Sequence, residues 1–382
     1  MHICFITHEY PKTNYPHGGI GTFIQTFAKA LVKRAYKVSV IGVNQYTNED
    51  EVCNDEGVDV YRLRIKKVKG ITWYLNYSAI NKKIKALHQT NPIDIIETPE
   101  LGLAFIKKIP KIKYVIRLHG GHHFFAESEK REINWWKGFQ EKRSFRKADA
   151  FIAVSKFVKS HTQKYLSYHN KPISIISNSI DLEVFKPKPD VKVKPKSVLF
   201  AGTICEKKGV AQLIKAMPKV LEAFPEVKLY LYGRDWYFKD GKSYIAYLEN
   251  EVIPELELKD DSINFMGSLS LTELALKYAE AEVCVFPSLM ETQGLVAPEA
   301  MAMEKTVVFT SLGPGPEAII DKETGLLCNP YDIDSISNSI LWVLNNPNES
   351  SLIAKRAKKY VEDNYNLNTL VQKNIDFYKS LG

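Results

Sequence analysis

The stretch AEVCVFPSLMETQGLVAPEAMA, residues 281–302, contains a strand, a loop and the start of a helix in close succession. The run AEVCVF is short and apolar, which is typical of a buried strand. Gly294 lies in the loop that follows, and Pro298 suits the first turn of a helix, which we expect to begin near Glu299. A strand that leads through such a loop into a helix is the building unit of a parallel α/β sheet.

The same order of strand, loop, helix and strand occurs in both halves of the 382-residue chain. In the first half, HICFIT precedes a glycine-rich loop, a helical pattern at Ile24, Phe27, Ala28 and Leu31, and KVSVIGV. In the second half, SVLFAGT precedes the loop ICEKKG, another helical pattern and VKLYLYG. Strands that alternate with helices indicate a parallel sheet. We therefore predict an α/β protein with two similar domains.

A segment rich in Pro and Lys separates the two halves. KPKPDVKVKPK, residues 186–196, has almost no apolar side chains and predicts an extended, solvated linker. We place the domains at residues 1–186 and 187–365, and a C-terminal helix at about 366–382 is able to pack back on the first domain. Because ligands bind at the carboxyl ends of parallel strands, we expect the site in a cleft between the domains.

Composition and net charge narrow the classes of protein to which this chain can belong. Hydrophobic residues make up 45% and charged residues 25%, which is ordinary for a globular chain. The five cysteines include no CxxC pair, which favours a reducing, cytoplasmic compartment over a disulfide framework or a zinc ribbon. We find no secretory signal and no apolar run near the roughly 18 residues of a spanning helix. The net charge of +8 suits nucleotides, acidic lipid surfaces or nucleic acid as partners.

Two glutamates lie on either side of the loop at residues 292–298. Glu299, on the first helical turn, can accept two hydrogen bonds from a vicinal diol such as a ribose, and Glu291 precedes the loop. Backbone N–H groups of the loop and the positive end of the helix favour an anion. The pattern indicates a phosphate site between two hydroxyl acceptors. The alternative, that both residues only favour a helix N-terminus, explains Glu299 but not Glu291.

Two further loops have the composition of phosphate-binding loops. Gly18 and Gly19 precede a helix, where backbone N–H groups can bind phosphate, although the dinucleotide-binding fingerprint fits poorly and a simple turn stays possible. Lys207 and Lys208 precede Gly209 and a second helix. Lysine at such a position can meet a pyrophosphate as a point charge, and the alternative is a solvated basic loop, because no Walker motif is present.

Two groups of residues raise the question of a metal ion. His119 ends an apolar strand and has a polar role in the expected cleft; a metal site with His122 and His123 is disfavoured because no acidic or Cys ligand has suitable spacing. Asp332 and Asp334 could hold Mg²⁺ with a diphosphate. The sequence DIDSISNSILWVL favours instead a helix that begins after an Asp cap. We predict no metal site.

The segment at residues 129–147 combines aromatic and basic side chains. Trp135, Trp136 and Phe139 form an aromatic cluster. The basic residues around it are Lys137, Lys142, Arg143, Arg146 and Lys147. Such a mixture suits a lipid headgroup interface and predicts peripheral contact with an anionic membrane. The alternative is a helix that packs its Trp side chains against its own domain.

PSLMETQGLVAPEAMA resembles the motif P-S-x-x-E-x-F-G-x-x-x-x-E-A-M-A of retaining glycosyltransferases of family four, which have the GT-B fold. Further segments similar to family motifs follow the family's order over nearly the whole chain: GGIG, RLHG, ISNSIDLEVFKP, GTICEKKGV, NFMGSL and GPGPEAIIDKETGLL. The resemblance implies two Rossmann-like domains with parallel sheets facing a central cleft. It also implies transfer from a UDP- or GDP-linked sugar to a glycan, lipid-linked or small-molecule acceptor, with retention at the anomeric carbon and without a required metal or other cofactor.

The resemblance further implies roles for single residues, with the donor mainly on the C-terminal domain and the acceptor on the N-terminal one. Glu299 would bind the ribose, Glu291 would contact the donor sugar near the anomeric carbon, and His119 would hold the sugar or the leaving phosphate. The other implied donor contacts are backbone N–H groups of Gly19, Gly294 and Leu295 at the diphosphate, Lys208 as a phosphate cation, Gly18 in the same glycine loop, and the Met266 backbone at the base.

Some residues depart from the family pattern. Thr203, five positions before Lys208, stands where the family usually has Arg, so one phosphate cation is missing from the donor-binding set. Lys207 or Arg234 can substitute for it. The remaining departures are Gln293 in place of Phe, and Glu304 and Pro314 in place of Gly.

Two other classes stay open on the sequence alone. One is a GT-B protein of different chemistry, such as a sugar-nucleotide epimerase or a phosphorylase with a lysine-bound pyridoxal cofactor. The other is a non-enzymatic anion-binding module. Basic residues are dispersed and no recognised nucleic-acid motif occurs, so we predict no specific nucleic-acid partner.

Overall fold

The computed structural model describes residues 1–12, 15, 19–129, 131–258 and 261–382. Gly18 of the glycine loop and Lys130 of the 129–147 segment lie outside the described residues. The chain forms two compact units, Met1–Ser179 with Leu367–Gly382, and Ile180–Asn366. Each unit is α/β and is built around its own sheet.

Within the described residues of the first unit, eight strands form one sheet. They are β1 (His2–Ile6), β2 (Lys37–Asn44), β3 (Glu51–Asp55), β4 (Val58–Arg64), β5 (Ile95–Thr98), β6 (Lys113–Leu118), β7 (Ala150–Ala153) and β8 (Ile173–Ile175). Their order is β3-β4-β2-β1-β5-β6-β7-β8, and β3 pairs antiparallel with β4 while the other neighbouring pairs are parallel.

Helices cover this sheet. They are α1 (Gly19–Val32), α2 (Thr72–Thr90), α3 (His122–Ser128), α4 (Trp135–Lys147) and α5 (Lys156–Gln163). The predicted helical pattern of α1 is confirmed, because Ile24, Phe27 and Leu31 are all buried on one face of the helix. The ring of Phe27 meets that of Phe5 from β1 edge to face at 5.8 Å, so α1 is fixed against the strand that precedes it.

In the described part of the second unit, six strands form a parallel sheet. They are β9 (Ser197–Ala201), β10 (Lys228–Tyr232), β11 (Ile263–Gly267), β12 (Val283–Phe286), β13 (Thr306–Thr310) and β14 (Leu326–Cys328), in the order β11-β10-β9-β12-β13-β14. The helices are α6 (Val210–Ala223), α7 (Tyr244–Tyr247), α8 (Leu271–Glu280), α9 (Val296–Ala302), α10 (Gly315–Ala318), α11 (Ile333–Asn345) and α12 (Pro347–Asn364).

Two helix starts in this unit test the sequence analysis. The Asp332 carboxylate accepts a hydrogen bond from Asp334 N at 3.0 Å and caps α11, so the predicted Asp cap is confirmed. Helix α9 begins at Val296 rather than near Glu299. The reason is that Leu295 is already in the right-handed helical region, with φ −55° and ψ −27°.

The segment 186–196 lies on the second unit, because Val191 packs against the core of that unit and Lys194 N donates to Glu280 O at 2.8 Å. Along the chain, the boundary between the two compact units falls between Ser179 and Ile180, shortly before this segment.

The last helix, α13 (Leu367–Ser380), belongs to the first unit, where Leu370, Val371 and Ile375 join the hydrophobic core.

A buried polar network holds α13 to the sheet of the first unit. Arg117 of β6 donates from Nε to Glu97 Oε1 of β5 at 2.7 Å, and both side chains are at most 3% exposed. Tyr378 donates its hydroxyl to Glu97 Oε2 at 2.5 Å, and Asn374 Oδ1 accepts from Arg117 Nη2 at 2.5 Å. Because a buried carboxylate needs several donors, α13 completes the ionic core of this unit.

Candidate functional site

Three neighbouring strands of the second unit end at glycines that lie close together. Gly202 follows β9, Gly233 follows β10 and Gly267 ends β11; Gly202 N donates to Tyr232 O and Gly233 N to Gly267 O, both at 2.9 Å. A Cβ at Gly233 would lie 1.7 Å from Gly202 O. Glycine is therefore required there, and it allows backbone groups to approach closely at the carboxyl edge of the sheet, where parallel sheets bind ligands.

The loops after β9 and β12 contact each other at this edge. Gly209 has a left-handed conformation with φ +70°, and a Cβ there would lie 1.9 Å from Pro287 O. Leu289 N donates to Lys207 O at 2.9 Å, and Met290 N donates to the same oxygen at 3.3 Å. The two loops thus form one surface although they are far apart in sequence.

This contact brings Lys208 and Glu291 together as an ion pair between Nζ and Oε1. The hydroxyl of Ser288 also donates to Glu291 Oε1, at 3.0 Å, and Glu291 is 8% exposed. The residues expected to neutralise phosphate and to contact the donor sugar therefore neutralise each other in this structure. Sequence analysis did not identify Ser288, although its position three residues before Glu291 in the same loop was a usable signal.

Gly294 and Leu295 form the turn between Glu291 and α9. Gly294 has φ +76°, and a Cβ there would lie 2.5 Å from Cζ of Phe309 on β13. Both the conformation and the lack of space require glycine. Leu295 O accepts from Glu299 N at 2.9 Å, so the turn continues directly into the helix that carries Glu299.

Glu299 is buried at 8% exposure, and the hydroxyl of Tyr278 on α8 lies 3.4 Å from its Oε2. Burial raises the pKa of the Glu299 carboxyl from 4.5 to about 7. Near neutral pH this group exists in both protonation states, and in either state it can hydrogen-bond a hydroxyl. Sequence analysis missed Tyr278 because the contact joins two different helices and leaves no short-range pattern.

Two further residues predicted for donor binding, Met266 and Thr203, lie at the ends of β11 and β9. Met266 on β11 is 45% exposed. Thr203 is half-buried and comes directly after Gly202. The next residue, Ile204, donates its N–H to Arg234 O at 2.9 Å, so Arg234 comes from the neighbouring strand end. Arg234 and Thr203 therefore lie at the ends of adjacent strands, β10 and β9.

One departure from the family pattern has a visible conformational cost. Glu304 occupies a left-handed position with φ +57°, where glycine is favoured. Its carboxylate lies 3.8 Å from Nζ of Lys358, an ion pair between half-buried side chains. Gln293, the second departure, is 5% exposed.

In the first unit, His119 lies at the end of β6 and is 7% exposed. Burial and the neighbouring Arg117 lower the pKa of the imidazole to about 3, so the ring is neutral at physiological pH. Its centroid lies 5.9 Å from the ring of Phe23 on α1, the helix that begins at Gly19. His119 and the described part of the glycine loop are therefore placed in the same region of this unit.

Two buried glutamates that sequence analysis missed hold the HGGHH loop after β6. Glu100 Oε1 accepts from His119 N at 2.6 Å, and burial raises the pKa of Glu100 to about 8. Glu141 of α4 is fully buried and accepts from the backbone N–H groups of His122 and His123. A Cβ at Gly121 would lie 2.1 Å from Glu141 Oε1, so the loop closes tightly on this carboxylate.

The side chains of His122 and His123 have protein partners. The Nδ1 atom of His123 pairs with Glu141 Oε2, and Nε2 of His122 accepts from Asn134 N at 2.9 Å. Among the described residues, no group of three or more His, Cys, Asp and Glu side chains is arranged to hold a metal ion. No local sequence signal marks Glu100 or Glu141, because each contacts a backbone segment that is distant in the chain.

The second unit thus combines lysine, two buried carboxyl groups and a glycine turn at one sheet edge. This set can bind an anion and hydroxyl groups together.

Comparison with known proteins places this arrangement in a family. The model for glycosyl transferases group 1 matches residues 181–360, and the model for glycosyltransferase family 4 matches residues 17–184. The chain is similar to an uncharacterized glycosyltransferase of Methanocaldococcus jannaschii, with 27% identity over 99% of this chain and 98% of that protein.

Solved structures share the fold of the whole chain. Sucrose-phosphate synthase from Thermosynechococcus elongatus superposes with a TM-score of 0.86 at 22% identity, covering 100% of this chain and 98% of that one. Anabaena HepE in complex with UDP-glucose superposes with a TM-score of 0.79 at 17% identity, covering 100% of both chains. The predicted α/β class and GT-B fold are confirmed by these likenesses.

Proposed function

The chain belongs to the glycosyl transferases group 1 family and has the GT-B fold, and we propose that it transfers a sugar from a nucleotide-diphosphate sugar to an acceptor with retention of the anomeric configuration. The observation that carries this proposal is the convergence of Lys208, Glu291 and the Gly294 turn at the carboxyl edge of the second sheet. These groups together match the charge and hydrogen-bonding needs of a sugar diphosphate.

The donor binds to the second unit in this proposal. Lys208 and the backbone N–H groups of Gly294 and Leu295 hold the diphosphate, with Arg234 or Lys207 as a second cation beside Thr203. Glu299 holds the ribose hydroxyls, and the Met266 backbone contacts the base. The base is uracil or guanine; HepE, whose fold this chain shares, has been solved with UDP-glucose.

The chemical step breaks the bond between the anomeric carbon and the leaving phosphate oxygen and forms a bond from that carbon to an acceptor hydroxyl oxygen, whose proton passes to the departing phosphate. Negative charge grows on the leaving phosphate, where Lys208 stabilises it, and positive charge grows on the sugar ring near Glu291. Because its imidazole is neutral, His119 acts as a hydrogen-bond partner of the sugar or the phosphate rather than as a cation. The supply of positive potential by lysine and backbone N–H groups supports activity without a divalent metal.

The acceptor binds to the first unit, where the backbone N–H group of Gly19, with Gly18 in the same glycine loop, contacts the diphosphate of the donor. We propose a glycan, a lipid-linked saccharide or a small molecule as the acceptor. Peripheral membrane contact through residues 129–147 favours the lipid-linked class.

A screen of nucleotide sugars without acceptor tests this function. We expect slow hydrolysis of one donor, detected as free nucleotide diphosphate, and loss of that signal in Glu291→Gln. Release of an epimerised sugar nucleotide would favour an epimerase, and pyridoxal absorbance in the pure protein would favour a phosphorylase. If no donor is cleaved or bound, the transferase proposal fails.

A further inference from the structure

A cluster of exposed apolar side chains lies where α2 and α4 begin. Trp135 is 76% exposed, Tyr74 58% and Ile71 48%, which is unusual for such large side chains. We define the α2–α4 patch by these residues together with Val68, Trp73, Ile133 and Phe139, each at least 36% exposed.

Ring contacts hold the patch together. Trp136 stacks on Phe105 with a centroid distance of 5.7 Å, and Trp73 lies 4.3 Å from the same ring. The centroids of Trp73 and Trp136 are 5.6 Å apart, so α2 and α4 are joined at this point. Trp136 therefore packs against its own unit, whereas Trp135 stacks outward with Phe139 and stays exposed.

The solvent-exposed face of α4 carries aromatic and basic side chains together. Trp135, Phe139 and Lys142 follow one another at spacings of four and three residues, so they share one face of the helix and point to solvent. The opposite face packs inward through Glu141 and Phe145. The rings of the outer face contact one another, but Trp135 is left 76% exposed to solvent.

The surroundings of the patch are strongly basic. Residues 63–77 and 129–147 together contain eleven Lys and Arg residues and three acidic residues, Glu129, Glu132 and Glu141. Glu141 is fully buried and Glu129 pairs with Arg131 at 2.5 Å, so positive charge is in excess at this surface. No Asp or Glu occurs anywhere between Asp59 and Asp94.

We propose that the α2–α4 patch is a docking surface for an anionic lipid bilayer. The proposal rests on the membrane contact proposed for residues 129–147 and adds the segment at 66–77. Trp and Tyr side chains favour the headgroup level of a bilayer, and the lysines beside them gain from the negative surface potential. Among the described residues, no helix has the length and apolar character to cross a membrane, so the contact is peripheral.

Charge complementarity selects this occupant over a second copy of the chain. A symmetric dimer through the α2–α4 patch would place the basic residues of one copy against those of the other. An anionic bilayer instead has negative charge at its headgroups, which is also the level that aromatic rings favour.

Vesicle flotation tests the proposal with the full chain. At low salt we expect binding to phosphatidylcholine vesicles that contain phosphatidylglycerol, and none to pure phosphatidylcholine vesicles. Replacing Trp135 and Tyr74 by Ala should weaken binding about tenfold or more, since their burial in the interface is lost. The matched control is Tyr331→Ala, which removes a 67% exposed aromatic from the second unit and should leave binding unchanged.

The charge contribution is tested separately. Changing Lys66, Lys67 and Lys69 to Gln should weaken binding about fivefold per residue, because each lysine near an anionic surface contributes about 1 kcal/mol. The control set consists of exposed lysines of the second unit, namely Lys215, Lys239 and Lys322.

Three outcomes overturn the proposal: no vesicle binding by the wild-type chain, equal losses in patch and control variants, or self-association that Trp135→Ala abolishes in sedimentation while vesicles stay unbound. Thermal unfolding shows whether each variant is folded. Donor hydrolysis is measured without vesicles, so an inactive protein that still binds anionic vesicles counts against the transferase function and not against the docking surface.

Discussion

Lys208 and Glu291, 83 residues apart in the chain, form an ion pair at the carboxyl edge of the second sheet. The pair follows from parallel pairing of β9 and β12, which places the loops after both strands side by side. A lysine that binds the donor's diphosphate must exchange this carboxylate for phosphate. In the proposed reaction, the Glu291 carboxylate and the donor phosphate therefore compete for Lys208.

Glu291→Gln separates the two roles. The change keeps the shape of the side chain but removes the charge that favours the positive sugar ring, so we expect kcat to fall by about 100-fold or more. Affinity for the nucleotide diphosphate, measured by calorimetry, should stay the same or increase, because Lys208 loses a competing partner. A large loss of nucleotide affinity in this variant would show that Glu291 binds the nucleotide instead. Lys208→Gln is the matched comparison and should weaken nucleotide binding.

Glu299→Gln should mainly raise the donor KM. A ribose contact is made equally in the ground and transition states, so kcat should change less than KM. Loss of a carboxyl group that hydrogen-bonds two hydroxyls costs about 2–3 kcal/mol, or roughly 30- to 150-fold in kcat/KM. Steady-state kinetics decide the assignment, and a variant that loses turnover while keeping its KM would contradict it.

The stability of the second unit should fall as pH rises from about 4.5 to 7. The pKa of Glu299 is raised from 4.5 to about 7 by burial, so the folded state holds a proton in this window that the unfolded state has released. The cost is complete above pH 7 and amounts to at most about 3 kcal/mol. Glu299→Gln should remove this slope, as measured by urea unfolding with hydrogen exchange in β12 and β13. Glu249→Gln, at an exposed position, is the control and should keep the slope.

Transfer activity should persist in EDTA. Lys208 and the loop N–H groups supply the positive potential that a divalent ion supplies elsewhere, and the Asp332 carboxylate caps α11. Initial rates with and without EDTA, followed by addition of Mg²⁺, test this expectation. Activity that disappears with EDTA and returns with Mg²⁺ would refute it.

Tyr378→Phe should destabilise the first unit. The change removes the hydroxyl that donates to Glu97 Oε2 in a fully buried position, and a buried acceptor left short of a donor costs about 1–3 kcal/mol. Hydrogen exchange in β5 and β6 during urea unfolding measures the effect. Tyr331→Phe, at an exposed position of the second unit, should change nothing. Equal exchange in both variants would mean that α13 does not depend on this hydroxyl.

Local sequence patterns predicted helices correctly where the residues that determine the helix lie close together in the chain. The apolar spacing of α1 and the Asp332 cap of α11 each depend on residues within a few positions of one another. The start of α9 was placed too late, because Pro298 and Glu299 both suit a first turn while the conformation of Leu295 is not visible in the sequence.

The sequence predicted which residues belong to the candidate site but not which of them contact one another. Glu291 and Lys208 were assigned separate partners, and their ion pair depends on strand order, which no local pattern specifies. Glu100 and Glu141 resemble ordinary surface residues in the sequence, since Asp and Glu are seldom fully buried unless paired. Their role in holding the HGGHH loop depends on contacts that only the folded unit provides.

The position of α13 in the first unit has a consequence for how the protein is made. A ribosome releases residues 367–382 only after all of the second unit has been synthesised. Until then the nascent first unit lacks Leu370, Val371 and Ile375 from its core, and Arg117 and Glu97 lack their partners on α13. The first unit can therefore reach its final structure only after residues 367–382 have been synthesised. A stalled or prematurely terminated chain would therefore present an open apolar surface in its N-terminal half, which is the part that chaperones and proteases would recognise.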